Sequence, residues 1–279
     1  MTDHLSASQL VMFQRCAEQW RRRFIEQDVL PPALPLLMGQ VVRGALLLDL
    51  HRKLDSGSDL APEELQDAAA DLYARRLSEG VYFAPEDLSS ARAAMAAGKD
   101  TVLALVDLFR SRLAPGIFPA LADARVMLDF GLAMPVSVAV DCLTLNGELR
   151  HFATASRRWN ASRVHASPDP ALRCEAVRRL TGSAPERLLV DVLVGTATPA
   201  VQSLETSRTP GDLIRVVRAF RLMLASVSAG IFPPAAPESP LCSPRWCGYF
   251  YTCPHVPAAR KMLPAGVRGA GARLLSVAP

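Results

Sequence analysis

Apolar positions at intervals of three and four mark the start of the chain. Over residues 6–27, Leu10, Phe13, Cys16, Trp20 and Phe24 fall on one stripe, the spacing of an amphipathic helix, with Ser6 or Ser8 as its N-cap. A proline-rich joint, Pro31-Pro32-Ala33-Leu34-Pro35, separates it from a second helix over about 38–54. Residues 61–113 are alanine-rich and helical in period, interrupted near Pro85 and stopped at Pro115-Gly116. The texture changes after Ala124. The stretch "ARVMLDFGLAMPVSVAVDCLTLNGELRHFAT" has β-branched residues, alternation and an Asn146-Gly147 turn, which predict three strands. Residues 168–180 return to a helix, "RLLVDVLVG" (187–195) is a short apolar run suited to a buried strand, and 210–229 form a helix with Leu213, Val216, Val217, Phe220 and Leu224 on one face. No internal repeat is visible and no linker is long enough to force two domains. The pattern predicts an α/β domain over residues 1–279 with a small central mixed sheet flanked by helices. A helical insertion spans 55–123 and a cysteine-rich segment spans 230–257.

Composition changes this picture little. Half of the 279 residues are hydrophobic and 21% are charged, ordinary for a globular protein with a substantial core. The net charge of +4 points weakly to an anionic partner. Only Lys53, Lys99 and Lys261 are lysines, so the cationic side is arginine. The N-terminus lacks a basic stretch followed by an apolar one, and the early apolar run Leu34 to Leu50 is broken by Arg43 and too short to span a bilayer. A cytoplasmic protein without a membrane is expected, and in that compartment clustered cysteines mean metal more often than disulfide.

Cys242, Cys247 and Cys253 stand as C-x4-C-x5-C in a tail full of Pro, Gly and aromatics. Three thiolates this close converge on one metal site, which needs a fourth ligand. Cys142 and Cys174 sit in apolar strand and helix settings, where a cysteine serves as a small hydrophobe. Cys16, in "FQRCAEQW", and His255 are the other candidates.

Taken together, Ser6 to Trp20 as S-x-S-x-L-x-x-F-x-x-C-x-x-x-W and the distant "CSPRWCGYFYTC" resemble the iron–sulfur branch of the PD-(D/E)XK nuclease superfamily, which includes the RecB-like exonucleases and the AddB nuclease domain. The resemblance implies a restriction-endonuclease-like core and a [4Fe–4S] cluster on Cys16, Cys242, Cys247 and Cys253, with zinc as the alternative. It also implies a catalytic set in fixed order: a histidine in a G-x-x-x-H helix, an aspartate ending a strand, an acid-x-lysine on the next strand, and Q-x-x-x-Y on a helix. Here Gly39 is followed by Arg43 in the histidine place, and the strand keeps Asp141. His151 replaces the second acid and Ala153 the lysine; Ala171 and Glu175 replace the glutamine and tyrosine. Hydrolysing a phosphodiester with Mg²⁺ or Mn²⁺ needs hard oxygen ligands and a cation at the developing charge. Little of either survives, so a catalytically inactive nuclease homologue without catalytic Mg²⁺ or Mn²⁺ is expected. Glu175 is the nearer of two acids, with Glu148, that might replace the lost one, and the alternative reading is an active exonuclease with a rearranged site.

A binding surface remains. "ASRRWNASR" sets Arg157, Arg158 and Arg163 around Trp159, a basic and aromatic mixture suited to phosphate contact and base stacking. DNA is the expected partner, in a repair, recombination, phage or defence setting. The resemblance adds a protein partner such as a helicase or another nuclease-complex subunit.

Overall fold

The structure, a computed structural model, describes residues 3–261. Its centre is a five-stranded mixed sheet in the order β1-β2-β3-β4-β5: β1 (Pro119–Leu128), β2 (Val136–Thr144), β3 (Glu148–Ala155), β4 (Arg187–Val194) and β5 (Ala200–Thr206). Only β3 and β4 run parallel, and the chain crosses between them through α6 (Ala161–Ala166) and α7 (Asp169–Thr181). The β2–β3 hairpin turns at Gly147, whose φ of +76° a side chain would oppose. The hairpin is brief: β2 meets β3 at Cys142↔Arg150 and Leu143↔Leu149, whereas β3 pairs with β4 along its whole length, from Glu148↔Arg187 to Ala155↔Val194.

Helices cover both faces. On one side α3 (Leu34–Ser56), α4 (Pro62–Ser78) and α5 (Ala91–Arg112) share a core with Cys142, Phe152 and Leu193 of the sheet. On the other, α1 (Ala7–Arg15), α2 (Ala17–Phe24), α7 and α8 (Pro210–Ser228) pack on Val136, Val138, Val140 and Leu149. The helical stretch read as an insertion is therefore half of the core. Phe109 of α5, fully buried, meets Phe152 of β3 edge-on with ring centroids 5.5 Å apart.

Several boundaries move. The strand expected after Ala124 begins at Pro119, inside the range 55–123 assigned to helix, because Pro119-Ala-Leu-Ala-Asp lacks the β-branched residues that signal a strand. β5 was not foreseen; Ala200–Thr206 is a half-exposed edge strand with little apolar alternation. α3 starts at Leu34, since Pro35 falls in its first turn, where proline is tolerated. At 23 residues it is long and apolar enough to cross a membrane, contrary to the sequence expectation. Leu37, Val42, Leu46 and Leu50 instead bury it in the interior. The first helix breaks in two. Cys16 takes an extended conformation between α1 and α2 (φ −163°, ψ 100°), and the next amide, Ala17, donates to the carbonyl of Pro233, 3.0 Å away in the C-terminal segment.

Candidate functional site

Valine-rich β2 carries Asp141 within its buried run, where β2 and β3 part. Its Oδ2 accepts from the backbone amide of Phe152 at 3.0 Å and from His151 Nδ1 at 2.6 Å. Its Oδ1 accepts from Arg43 Nε at 3.0 Å, Arg43 Nη2 at 2.7 Å and Arg173 Nη1 at 3.1 Å. A carboxylate offers about four lone-pair positions, so these five contacts leave no position for a metal ion. Burial alone would raise the pKa of Asp141, but Arg173, His151 and Arg43 outweigh it and hold the carboxyl well below its usual range. An ionised carboxylate only accepts, which assigns the hydrogen to His151 Nδ1.

The two arginines come from opposite layers. Arg43, from α3, also reaches Asp123 Oδ1 at 3.2 Å. Asp123 stands between Ala122 and Ala124, the partners of Cys142 and Val140, with φ +47°, a left-handed conformation that aspartate tolerates better than most residues. One guanidinium nitrogen thus lies between two carboxylates. Arg173, from α7, is almost wholly buried, and besides Asp141 it donates to Asp169 and to the carbonyl of Ala139. Arg173 went unrecognised in the sequence, where nothing separates it from the surface arginines of the same helix.

The remaining positions of the expected catalytic set divide. Gly39, Arg43, His151 and Ala153 line one cleft of about 320 Å³. A side chain at Gly39 would meet Thr154 Oγ1 at 2.8 Å, so the glycine lets α3 lie against β3. Ala171 and Glu175 are elsewhere. Ala171 is buried in the α1–α7–α8 packing, and Glu175 accepts from Arg178 and Arg179 of its own helix at 2.7–2.8 Å. This corrects the expectation that Glu175 replaces the lost acid, since its oxygens are spent on α7. Glu148 is likewise bound, to Arg150 and Arg187. No lysine approaches; Lys53 is buried with Asp59 and the carbonyl of Ala114. A second buried carboxylate, Asp191 of β4, binds Arg150 through Nε at 2.9 Å and Nη2 at 3.2 Å. Its signal was a single acid inside "RLLVDVLVG".

Cys16, Cys242, Cys247 and Cys253 line one small cavity together with His255. The break at Cys16 brings that residue to the tail, and other contacts hold the tail there. Tyr82 donates to the Pro244 carbonyl at 2.8 Å, Arg22 donates to Thr252 at 2.8 Å and stacks on Tyr249, and Tyr249 donates to the Asp28 carbonyl. Burial pushes the Cys247 thiol up to about 11, and the other three thiols add to the rise. Four thiolates in one space need a cation between them. Among the described residues, no group of three or more His, Cys, Asp or Glu side chains could hold a single metal ion. Cys142 and Cys174 lie apart, their thiols pushed by burial to about 12 and about 11.

Arg157, Arg158 and Arg163 are exposed at the start of the β3–β4 crossover. Arg163 lies 4.3 Å over the Trp159 ring, and Gln202 pins the Trp159 backbone through both its amide and its carbonyl. One face of the indole is therefore covered.

No protein family and no curated protein sequence matches the chain. Among solved structures, it is similar to the crystal structure of a candidate exonuclease from Eubacterium rectale, with a TM-score of 0.55 and 12% identity over 86% of this chain and 87% of that one. A second, SSO0001, has a TM-score of 0.41 and 10% identity over 94% of this chain and 89% of that one. The first likeness is one of fold: the five-stranded sheet and its flanking helices make a nuclease-like α/β architecture.

Replacing Asp141 by Asn strands the buried Arg173 and is expected to lower unfolding free energy by about 3–5 kcal/mol. In a metal-binding acid site without metal, the same change would relieve repulsion and stabilise. Because the folded state depresses the Asp141 pKa, its contribution is complete at neutral pH and is lost as pH falls below about 4, the unfolded value. Denaturant melts across pH will show that acid-side loss in the wild type and its reduction in Asp141→Asn.

Proposed function

We propose that this chain is a nuclease-fold protein that has exchanged phosphodiester cleavage for nucleic-acid binding. The observation that carries this is the saturation of Asp141: the Arg43 guanidinium stands between Asp123 and Asp141, and no oxygen is left for a catalytic ion. An arginine there opposes any divalent ion by charge as well as by volume. It also cannot act as a base at working pH, because guanidinium keeps its proton. Ala153, on the cleft wall, brings no cation to developing charge. The exposed Arg157, Arg158 and Arg163, at the start of the β3–β4 crossover, supply the sequence-independent phosphate attraction that binds DNA. By its resemblance the protein works in a repair, recombination, phage or defence complex, with a helicase or nuclease subunit as protein partner.

Cys16, Cys242, Cys247 and Cys253 share one cavity, and by the resemblance they would hold a [4Fe–4S] cluster, with zinc as the alternative. When bound, the cluster would act as a structural crosslink. Cys16 and Cys253 are separated by most of the chain, and closing so long a loop removes much unfolded-state entropy.

Purified protein incubated with labelled single- and double-stranded DNA and Mn²⁺ is expected to retain the DNA without shortening it. Degradation that disappears in Asp141→Ala would establish the rearranged exonuclease instead. Protein prepared without oxygen is expected to absorb near 400 nm, in the region of roughly that wavelength where thiolate-bound iron absorbs and d¹⁰ zinc does not. Cys16→Ser is expected to lose that band together with thermal stability, whereas a colourless protein containing stoichiometric zinc would reject the cluster.

A further inference from the structure

The chain's positive charge is unevenly placed. From Leu213 to Lys261 the only acid is Glu238, against Arg215, Arg218, Arg221, Arg245, Arg260 and Lys261. That segment alone carries +5, more than the +4 of the whole chain. Half of these cations lie on α8. The helix buries Val216, Phe220 and Met223. At 100° per residue the opposite face centres on Arg218, with Arg215 and Arg221 about 60° to either side. All three are exposed, and only Arg215 has a carboxylate partner, Asp212.

The N-terminal end of this face opens on a cleft of about 180 Å³ between α1, the α6–α7 junction and α8, lined by Gln14, His165, Ser167, Arg208, Arg215 and one carboxylate, Asp212. Arg208 is half-buried there. Its Nη atoms donate to the carbonyls of Val164 and Ser207 and to Thr206 Oγ1, and no carboxylate pairs with it among the described residues. Carbonyls fix the guanidinium but do not neutralise it, and burial pulls its pKa below the ordinary value. Against the two arginines of the cleft stands one carboxylate, Asp212, bound to Arg215, so one positive charge remains for an incoming anion to balance. His165 and Arg163 belong to the same short helix α6, which joins this cleft to the Arg157–Arg163 patch.

We propose that the His165–Arg208–Arg215 cleft is a phosphate-binding subsite, and that a nucleic-acid strand held at Arg157, Arg158 and Arg163 continues through it along Arg218 and Arg221 of α8. This rests on the nucleic-acid reading above and extends it to a face remote from the Asp141 cleft. The ligand class is the phosphodiester backbone, since arginines without a row of stacking aromatics give charge contact and no base readout. Ile214 and Leu222 lie exposed between the arginines, where they pack against sugar edges.

Binding of a labelled single-stranded oligonucleotide, long enough to cover both patches, is measured across a salt series. Arg215→Ala/Arg218→Ala/Arg221→Ala removes three phosphate contacts, so the slope of log K against log salt is expected to fall by about 2 and affinity at low salt by about tenfold. Arg218→Glu alone removes one contact and is expected to lower the slope by about 0.7. A control removing equal charge from the helical layer, Arg75→Ala/Arg92→Ala/Arg112→Ala, is expected to leave the slope unchanged. A wild-type slope in the α8 variants, or an equal loss in the control, overturns the subsite. If Arg157→Ala/Arg158→Ala still weakens binding in that case, the nucleic-acid reading stands without it. A wild-type protein that binds no nucleic acid ends both.

Discussion

A single carboxylate, shut off from water, sets the terms for the rest of this molecule. Asp141 is ionised and fully buried, a state that is prohibitive unless the charge is paired and hydrogen-bonded. The chain meets that condition from several directions at once. Helix α3 supplies Arg43, α7 supplies Arg173, and β3 supplies both the His151 ring and the Phe152 amide. The two helical layers are thereby fastened to one point of the sheet through opposite sides. Phe109 of α5 packs on the ring of Phe152, so the third helix of the α3–α5 layer supports the strand that carries the amide.

The same interaction decides the chemistry. A metal-dependent phosphodiester-cleaving site holds its ion on carboxylate oxygens that are otherwise free. Here the Asp141 oxygens are taken by Arg43, Arg173, His151 and the Phe152 amide. On the function proposed above, that arrangement forgoes a Lewis acid and the water it would activate, while exposed arginines outside the Asp141 network would keep the attraction for phosphate.

Much of this was legible in the sequence, for identifiable reasons. The cysteine spacing, the apolar run of β4 and the stripe of α8 are local patterns, and the structure keeps them. That Arg43, His151 and Ala153 share one cleft followed from positions the resemblance marked in the sequence. Partnerships between distant residues were not. Nothing in "DPALRCEAVRR" marks Arg173 as the buried arginine of its helix, since Arg178 and Arg179 have the same local setting. Asp123 looked like one more residue of a helical stretch because alanines surround it, and only the pairing with β2 brings it beside Arg43. Periodicity also ran straight through Cys16. The break there is made by a contact from the other end of the chain, the Pro233 carbonyl on the Ala17 amide, which no local pattern records. β5 escaped because an exposed edge strand lacks the apolar alternation that identifies buried ones.

Calorimetric titration with Mn²⁺, comparing the wild-type protein with Asp141→Ala, tests most directly whether the internal guanidinium has taken the ion's place. The account predicts that any heat of binding is the same in both proteins, because Asp141 offers Mn²⁺ no oxygen. A saturable heat present in the wild type and abolished by the substitution would contradict it.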